Sequence, residues 1–248
     1  MKKYITIATL LAAGTAFANA ASVEKVVLPS SSELLFAYDY TLGGDAPETN
    51  NLNKGWEHWG NEVPSISNGV AVFSNGGPYT SGDVSFNTSA FTLSFDIGSV
   101  KNTANGAVFA FGNGQKGADY LGVLVTTGSV SLVKGEGYNT VVVSANVTLS
   151  ESTMKSIVVS NSADEAFIAV DGIVVATADD GISAGTVSAH FGIGAVYGGD
   201  DSAGKVNGIL DNVKLYSAAA STIPEPSTFG LLAGLGALAL VGTRRRRR

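Results

Sequence analysis

The stretch Phe91-Thr92-Leu93-Ser94-Phe95-Asp96-Ile97 alternates without a break: Phe91, Leu93, Phe95 and Ile97 fall on one face, Thr92, Ser94 and Asp96 on the other. A repeat of two puts every second side chain on one side of an extended chain, so the pattern predicts a half-buried antiparallel strand. GAVFAFG, YLGVLVTT, SVSLVKG, NTVVVSA, KSIVVSN, VSAHFGIGAV and GILDNVKLY continue in this style, rich in Val, Ile, Phe or Tyr and bounded by Gly, Asn, Asp or Ser. EAFIAVDGIVVAT reads as two strands around Asp171-Gly172, residues that tolerate the positive φ of a type I′ hairpin turn. Many strands spaced roughly 8–12 residues apart predict an all-β fold, an antiparallel β-sandwich of the jelly-roll kind. Three further expectations follow from local pattern. Residues 43–63 are polar and form an irregular loop layer, and Glu151–Ser156 forms one helical turn. Asp211 shares the alternation of Ile209, Val213 and Leu215, which turns it to the core side or sets it as a cap at the strand entry, in either case a structural residue bonded to backbone amides.

The two ends break the alternation. Met1–Ala20 carries Lys2 and Lys3, an apolar run from Ile5 to Leu11, and Ala18-Asn19-Ala20, an A-x-A cleavage pattern. This predicts a secretory signal peptide over residues 1–20, too short in its apolar run for a membrane span. Phe229–Val241 is apolar throughout. As a helix it reaches about 20 Å against a hydrocarbon core of about 30 Å, and snorkelling arginines extend that reach. Arg244, Arg245, Arg246, Arg247 and Arg248 place this end in the cytoplasm and the body outside it, the topology the signal peptide also demands.

Charge narrows the partners. Residues 21–223 hold 8 lysines, no arginine and 20 acidic residues, a net charge of −12. Such a body repels phosphate, which excludes nucleic acid as a partner. The sequence has no cysteine, so an exported domain of this size relies on its core, with neither thiolate metal site nor cysteine nucleophile.

Pro224-Glu225-Pro226, the apolar span and the terminal arginine cluster together resemble the PEP-CTERM sorting signal of Gram-negative bacteria. The resemblance implies export through the Sec machinery and tethering in the inner membrane with the body in the periplasm. It also implies processing by an exosortase, release to the cell surface or matrix, and a host that makes extracellular polysaccharide. Pro224 and Pro226 hold the segment extended, as a processing enzyme requires. The stretch from residue 90 to 217 is similar to the closing strands of LamG-like jelly rolls of the concanavalin A-like superfamily. Val170, Asp171, Gly172, Gly192, Gly208, Leu210, Asp211, Val213, Leu215 and Tyr216 carry that likeness. It implies that LLFAYDYTLGG is an opening strand lying beside the last one. The expected organisation is a signal peptide at 1–20, a jelly roll at 21–217, a linker at 218–222, and the sorting signal with its transmembrane helix at 223–248.

Three catalytic look-alikes fail on context. Gly112, Gly114 and Gly117 have dinucleotide-loop spacing, but a strand pattern follows where a helix is needed. GDDSAGKV has Val206 where a phosphate loop needs a hydroxyl, and Ser183 in GISAG is followed only by His190, with no acid between them. The glutamates and aspartates show no period-two spacing that would bring two carboxylates to one strand face, as glycoside hydrolysis requires. Asp179, Asp180, Asp200 and Asp201 are candidate calcium ligands on loops; no cofactor is otherwise indicated. Trp56, His58, Trp59 and Tyr79 are candidates for stacking on a sugar, with core anchoring as the alternative for the tryptophans. The expected function is a non-catalytic surface or matrix protein that binds carbohydrate. The alternatives are a glycan-active hydrolase and a purely structural matrix component.

Overall fold

The computed structural model describes residues 24–40, 47–58, 64–74, 77–112, 121–183, 185–195 and 204–224. The chain divides into two units, Val26–Ser221 and the terminal segments Met1–Lys25 with Thr222–Arg248. In the terminal unit the described residues, Glu24, Lys25 and Thr222–Pro224, are extended. The expected signal peptide, the apolar span at 229–241, Glu225, Pro226 and the arginine cluster lie outside the described residues. Among the described residues no helix is long and apolar enough to cross a membrane.

The described strands are β1 (Glu24–Val27), β2 (Leu34–Tyr38), β3 (Thr49–Asn50), β4 (Trp56–His58), β5 (Ser65–Ser67), β6 (Val70–Phe73), β7 (Pro78–Thr80), β8 (Val84–Asn87) and β9 (Phe91–Gly98). They continue with β10 (Gly106–Gly112), β11 (Leu121–Thr126), β12 (Ser129–Lys134), β13 (Thr140–Asn146), β14 (Lys155–Asn161), β15 (Ala166–Val170), β16 (Ile173–Ala178), β17 (Thr186–Ile193), β18 (Gly208–Tyr216) and β19 (Ser221–Pro224). A first sheet orders β16-β15-β14-β9-β18-β2-β3, with β6 also on β18 and β5 on β6. A second orders β13-β12-β11-β10-β17-β7-β4, with β8 also on β17. Their strand pairs are antiparallel. The protein is an all-β jelly roll. The opening strand does lie beside the last: Phe36 pairs Leu215 and Tyr38 pairs Val213.

Alternation built this core as read. Phe91, Leu93, Phe95 and Ile97 are fully buried, and aromatic contacts join the two sheets, Phe36 to Phe191 at 6.0 Å and Phe86 to Phe91 at 5.7 Å. Burying each such ring stabilises by about 1.5–3 kcal/mol. The second sheet is also covered outside. Tyr138 packs with Ala107, Ala110, Leu124 and Val133, and a Cβ on Gly122 would stand 2.9 Å from the Tyr138 ring. Glycine therefore lets that ring lie flat on the strand.

The Asp171-Gly172 turn has φ of 52° and 83° between the paired Val170 and Ile173, the type I′ geometry. Three other expectations are corrected. Residues 150–153 form bends ahead of β14, not a helical turn, because the chain crosses between strands there. The 43–63 segment contains the short strands β3 and β4, since open edges of both sheets offer it partners. Residues 218–221, within the expected linker, lie along the first sheet. The Thr92 hydroxyl donates to the Ala218 carbonyl at 2.8 Å, and the Ala220 amide donates to Ser160 Oγ at 2.9 Å. Small alanine side chains let this backbone approach the sheet, and Ala220 packs over Val158, Phe167 and Ala169. Finally, β18 carries a bulge between Asp211 and Lys214, where Asn212 has φ of 51°. The extra residue shifts the alternation, so Leu210, Val213 and Leu215 are buried while Asp211 faces outward, half-buried.

Candidate functional site

Strands β4, β7 and β17 lie side by side in the second sheet, with Trp56 opposite Thr80, Glu57 opposite Tyr79, and Tyr79 opposite Gly192. Alternation then sorts the side chains. Trp56 packs edge-on against Phe36 at 5.3 Å and Tyr38 at 5.2 Å, so it belongs to the core and not to a stacking surface. Its indole N–H is buried without a hydrogen-bond partner among the described residues. His58 pairs with Pro78 through the backbone, and Trp59 lies outside the described residues.

Glu57 and Tyr79 take the outward face. The Tyr79 hydroxyl donates to Glu57 Oε2 at 3.2 Å. The neighbouring position across the pair is Gly192, which adds no side chain beside the phenol ring. His190 lies two residues before Gly192 on the same face, because Phe191 between them is buried. Its Nδ1 donates to the Thr80 carbonyl at 2.7 Å, and its Nε2 stands 3.2 Å from Asp83 Oδ1. The Phe191 amide donates to the Thr80 hydroxyl at 3.1 Å, which locks β7 to β17. The face thus presents a phenol, two exposed carboxylates and an imidazole beside a glycine. An aromatic face with a few fixed polar groups is what a sugar ring recognises. His190 and Asp83 were not among the sequence candidates; the alternation in VSAHFGIG separates His190 from Phe191 and was the available signal.

A second polar cluster sits on the first sheet. Asp96 and Asp211 are paired residues of β9 and β18, and the Asn212 side-chain amide donates to both, at 2.8 and 3.2 Å. The Asn212 backbone amide donates to Asp211 Oδ1 at 2.8 Å, so Asp211 does bond a backbone amide as expected. Partial burial holds the Asp211 carboxyl above the ordinary aspartate value, and the charges of Asp96 and Asp39 add to this. Burial pushes the Tyr40 hydroxyl above the tyrosine range, with Glu48 and Asp211 contributing, and that hydroxyl has no hydrogen-bond partner among the described residues.

Among the described residues no group of three or more His, Cys, Asp or Glu side chains is arranged to hold a metal ion. Asp179 and Asp180 are exposed in a bend after β16, while Asp200 and Asp201 lie outside the described residues. Gly112 ends β10 and the next described element is the antiparallel β11; Ser183 is exposed ahead of β17. Among the described residues, neither is followed by the helix its look-alike motif needs.

Residues 73–222 match the family described as the concanavalin A-like lectin/glucanases superfamily, and residues 222–247 match the PEP-CTERM protein-sorting motif. No curated protein matches the chain. Among solved structures, it is similar to domain 4 of AbnA, a GH43 extracellular arabinanase from Geobacillus stearothermophilus, in complex with arabinotriose. That likeness has a TM-score of 0.55 at 14% identity and covers 79% of this chain and 95% of the other. It is also similar to the Trypanosoma rangeli sialidase in complex with sialic acid, with a TM-score of 0.54 at 14% identity, over 80% of this chain. The match spans 34% of that sialidase. At such identity these likenesses establish the fold.

Proposed function

The chain belongs to the concanavalin A-like lectin/glucanases superfamily, and from that premise we propose that it is a non-catalytic carbohydrate-binding protein of the cell surface or extracellular matrix. The PEP-CTERM motif implies export, anchoring in the membrane before processing, and processing that depends on an exosortase. Within the proposal, residues 1–20 are the signal peptide and 229–241 the membrane span, with the body in the periplasm until it is released.

The observation that carries the reading is the Tyr79–Glu57 pair. A core-facing tyrosine would bury its ring; this one lies outward with its hydroxyl fixed by a carboxylate on the neighbouring strand. His190 and Asp83 extend the same face, and the solved relatives include a domain in complex with arabinotriose. Extracellular polysaccharide is the ligand class. The Asp96–Asp211 pair gives the hydrolase alternative its one support, because two carboxyl groups with differing environments can serve as acid and base. Asn212 bridges them, its side-chain amide donating to both carboxyl groups.

The test is a glycan array probed with the full chain, with and without EDTA, beside a turnover assay on each bound glycan. Binding without turnover, lost in Tyr79→Ala, is the expected result. Turnover abolished by Asp211→Asn would replace the reading with hydrolysis, and EDTA-sensitive binding would assign calcium to it. Intact mass of the exported protein tests the sorting half: the expected product lacks Met1–Ala20 and Arg244–Arg248.

A further inference from the structure

On the outer face of the first sheet, where β18 begins between β9 and β6, a cleft of about 250 Å³ is lined by Val72, Ser99, Lys101, Asn207, Gly208 and Ile209. Its floor is apolar. Ile209 and Val72 are paired residues, and alternation turns both away from the buried Ala71, Phe73 and Leu210. Its rim is polar and unspent: the Ser99 hydroxyl, the Lys101 ammonium and the Asn207 side-chain amide have no hydrogen-bond or ion-pair partner among the described residues. Three polar residues around an apolar floor are the ingredients of a small-ligand site.

The cleft is also pre-formed. Ser99 has φ of 51°, a left-handed conformation that non-glycine residues adopt rarely. It is held there because its amide donates to Glu151 O at 2.7 Å, Val100 N to Leu149 O at 2.9 Å, and Lys101 N to Asn207 O at 2.8 Å. Asn102 ties the rim together, donating from Nδ2 to Lys205 O at 2.8 Å and accepting at Oδ1 from Asn207 N at 2.7 Å. Gly208 closes the floor, since a Cβ there would come within 3.2 Å of Gly98 O and Val100 Cα.

The chemistry selects the ligand. Lys101 is one of 8 lysines in a body with 20 acidic residues, and it faces a cleft with no carboxylate in its lining. A single ammonium matches a single carboxylate. A phosphate would call for a nest of free backbone N–H groups, but the amides of Ser99, Val100 and Lys101 are already spent on carbonyls. The hydroxyl and the amide suit vicinal sugar hydroxyls, and Ile209 with Val72 suits the C–H face of a ring. The volume lies below the roughly 300–1,000 Å³ of larger ligand pockets, which limits the occupant to one ring.

We propose that this cleft is a subsite for one uronate unit, a pyranose bearing a carboxylate, within a largely neutral polysaccharide. It is independent of the Tyr79 face, which lies on the other sheet.

The test uses the full chain with isotope-labelled methyl groups, titrated with glucuronate, glucose and acetate and followed by NMR. Glucuronate should shift the Val72 and Ile209 methyls, at least tenfold more tightly than glucose or acetate. Lys101→Met, a change at an exposed residue that leaves packing alone, should weaken it at least tenfold, and Lys101→Arg should retain it. Glucose binding as well as glucuronate, shifts confined to other methyls, or Lys101→Met binding as the wild type does would each overturn the proposal.

Discussion

The side-chain amide of Asn212 donates to Asp96 Oδ2 at 2.8 Å, from a bulge residue of β18 to the neighbouring strand β9. The same amide reaches Asp211 Oδ2 at 3.2 Å, so one neutral group separates two carboxyl groups that the register sets opposite each other. Like charges directly opposite in a sheet destabilise it. Asparagine is also among the few residues that accept the φ of 51° found here. Asn212→Ala should therefore cost about 1–3 kcal/mol, through lost hydrogen bonds and a strained backbone. Urea unfolding of the full chain would measure it; a change within 0.5 kcal/mol or so would mean the bulge does not depend on this residue.

Asp211 supplies a pH dependence. Its carboxyl is held above its ordinary value of 3.8, chiefly by burial. The folded state then binds this proton more readily than the unfolded state. The stability it contributes is fully present below 3.8 and is lost as pH rises through the raised folded value. Asp211→Asn should raise the melting temperature at pH 7 and change it less at pH 4. An equal effect at both values would contradict the assignment.

Trp56 and Tyr79 should separate cleanly. Trp56→Ala empties space beside Phe36 and Tyr38 and should cost about 3 kcal/mol. Trp56→Phe keeps most of the packing and removes a buried N–H that has no partner among the described residues, so it should be nearly neutral. Tyr79→Ala should weaken glycan binding with little change in melting temperature. Thermal melts beside the array decide both.

Gly172→Val should destabilise by about 1 kcal/mol or more, because the turn holds φ at 83° there. Beyond its chain neighbours, no atom of the described residues lies within 4 Å of a Cβ built at this glycine, so the cost is backbone strain. Gly172→Asn should cost less, since asparagine visits that region. Equal losses for the two would point instead to a side-chain clash.

Where a side chain's partners lie within its own strand or hairpin, the sequence was a sufficient guide. Phe91, Leu93, Phe95 and Ile97 are buried as their spacing requires, and Asp171-Gly172 turns as its residues require. Each of these is decided by a period of two or by a local φ preference, which neighbours in sequence already specify. The chain-end pattern that resembled a sorting signal was legible for the same reason, because order and spacing along the chain carry it.

What depended on distant strands was not legible. GILDNVKLY reads as unbroken alternation, but the bulge at Asn212 inverts its phase and turns Asp211 outward, because Asp96 on β9 offers the amide a partner 116 residues away. Trp56 and Tyr79 look equally fit to stack on a sugar; the register of β4 on β7 sends one into the aromatic core and the other outward to Glu57. Residues 218–221 carry the composition of a linker, and Thr92 and Ser160 on the outer face of the sheet, with the apolar patch beneath Ala220, hold them down. Alternation and turn chemistry determined the strands, whereas tertiary register decided which face each chemical group meets, since hydrogen-bond partners far apart in the chain exist only once the sheets have closed.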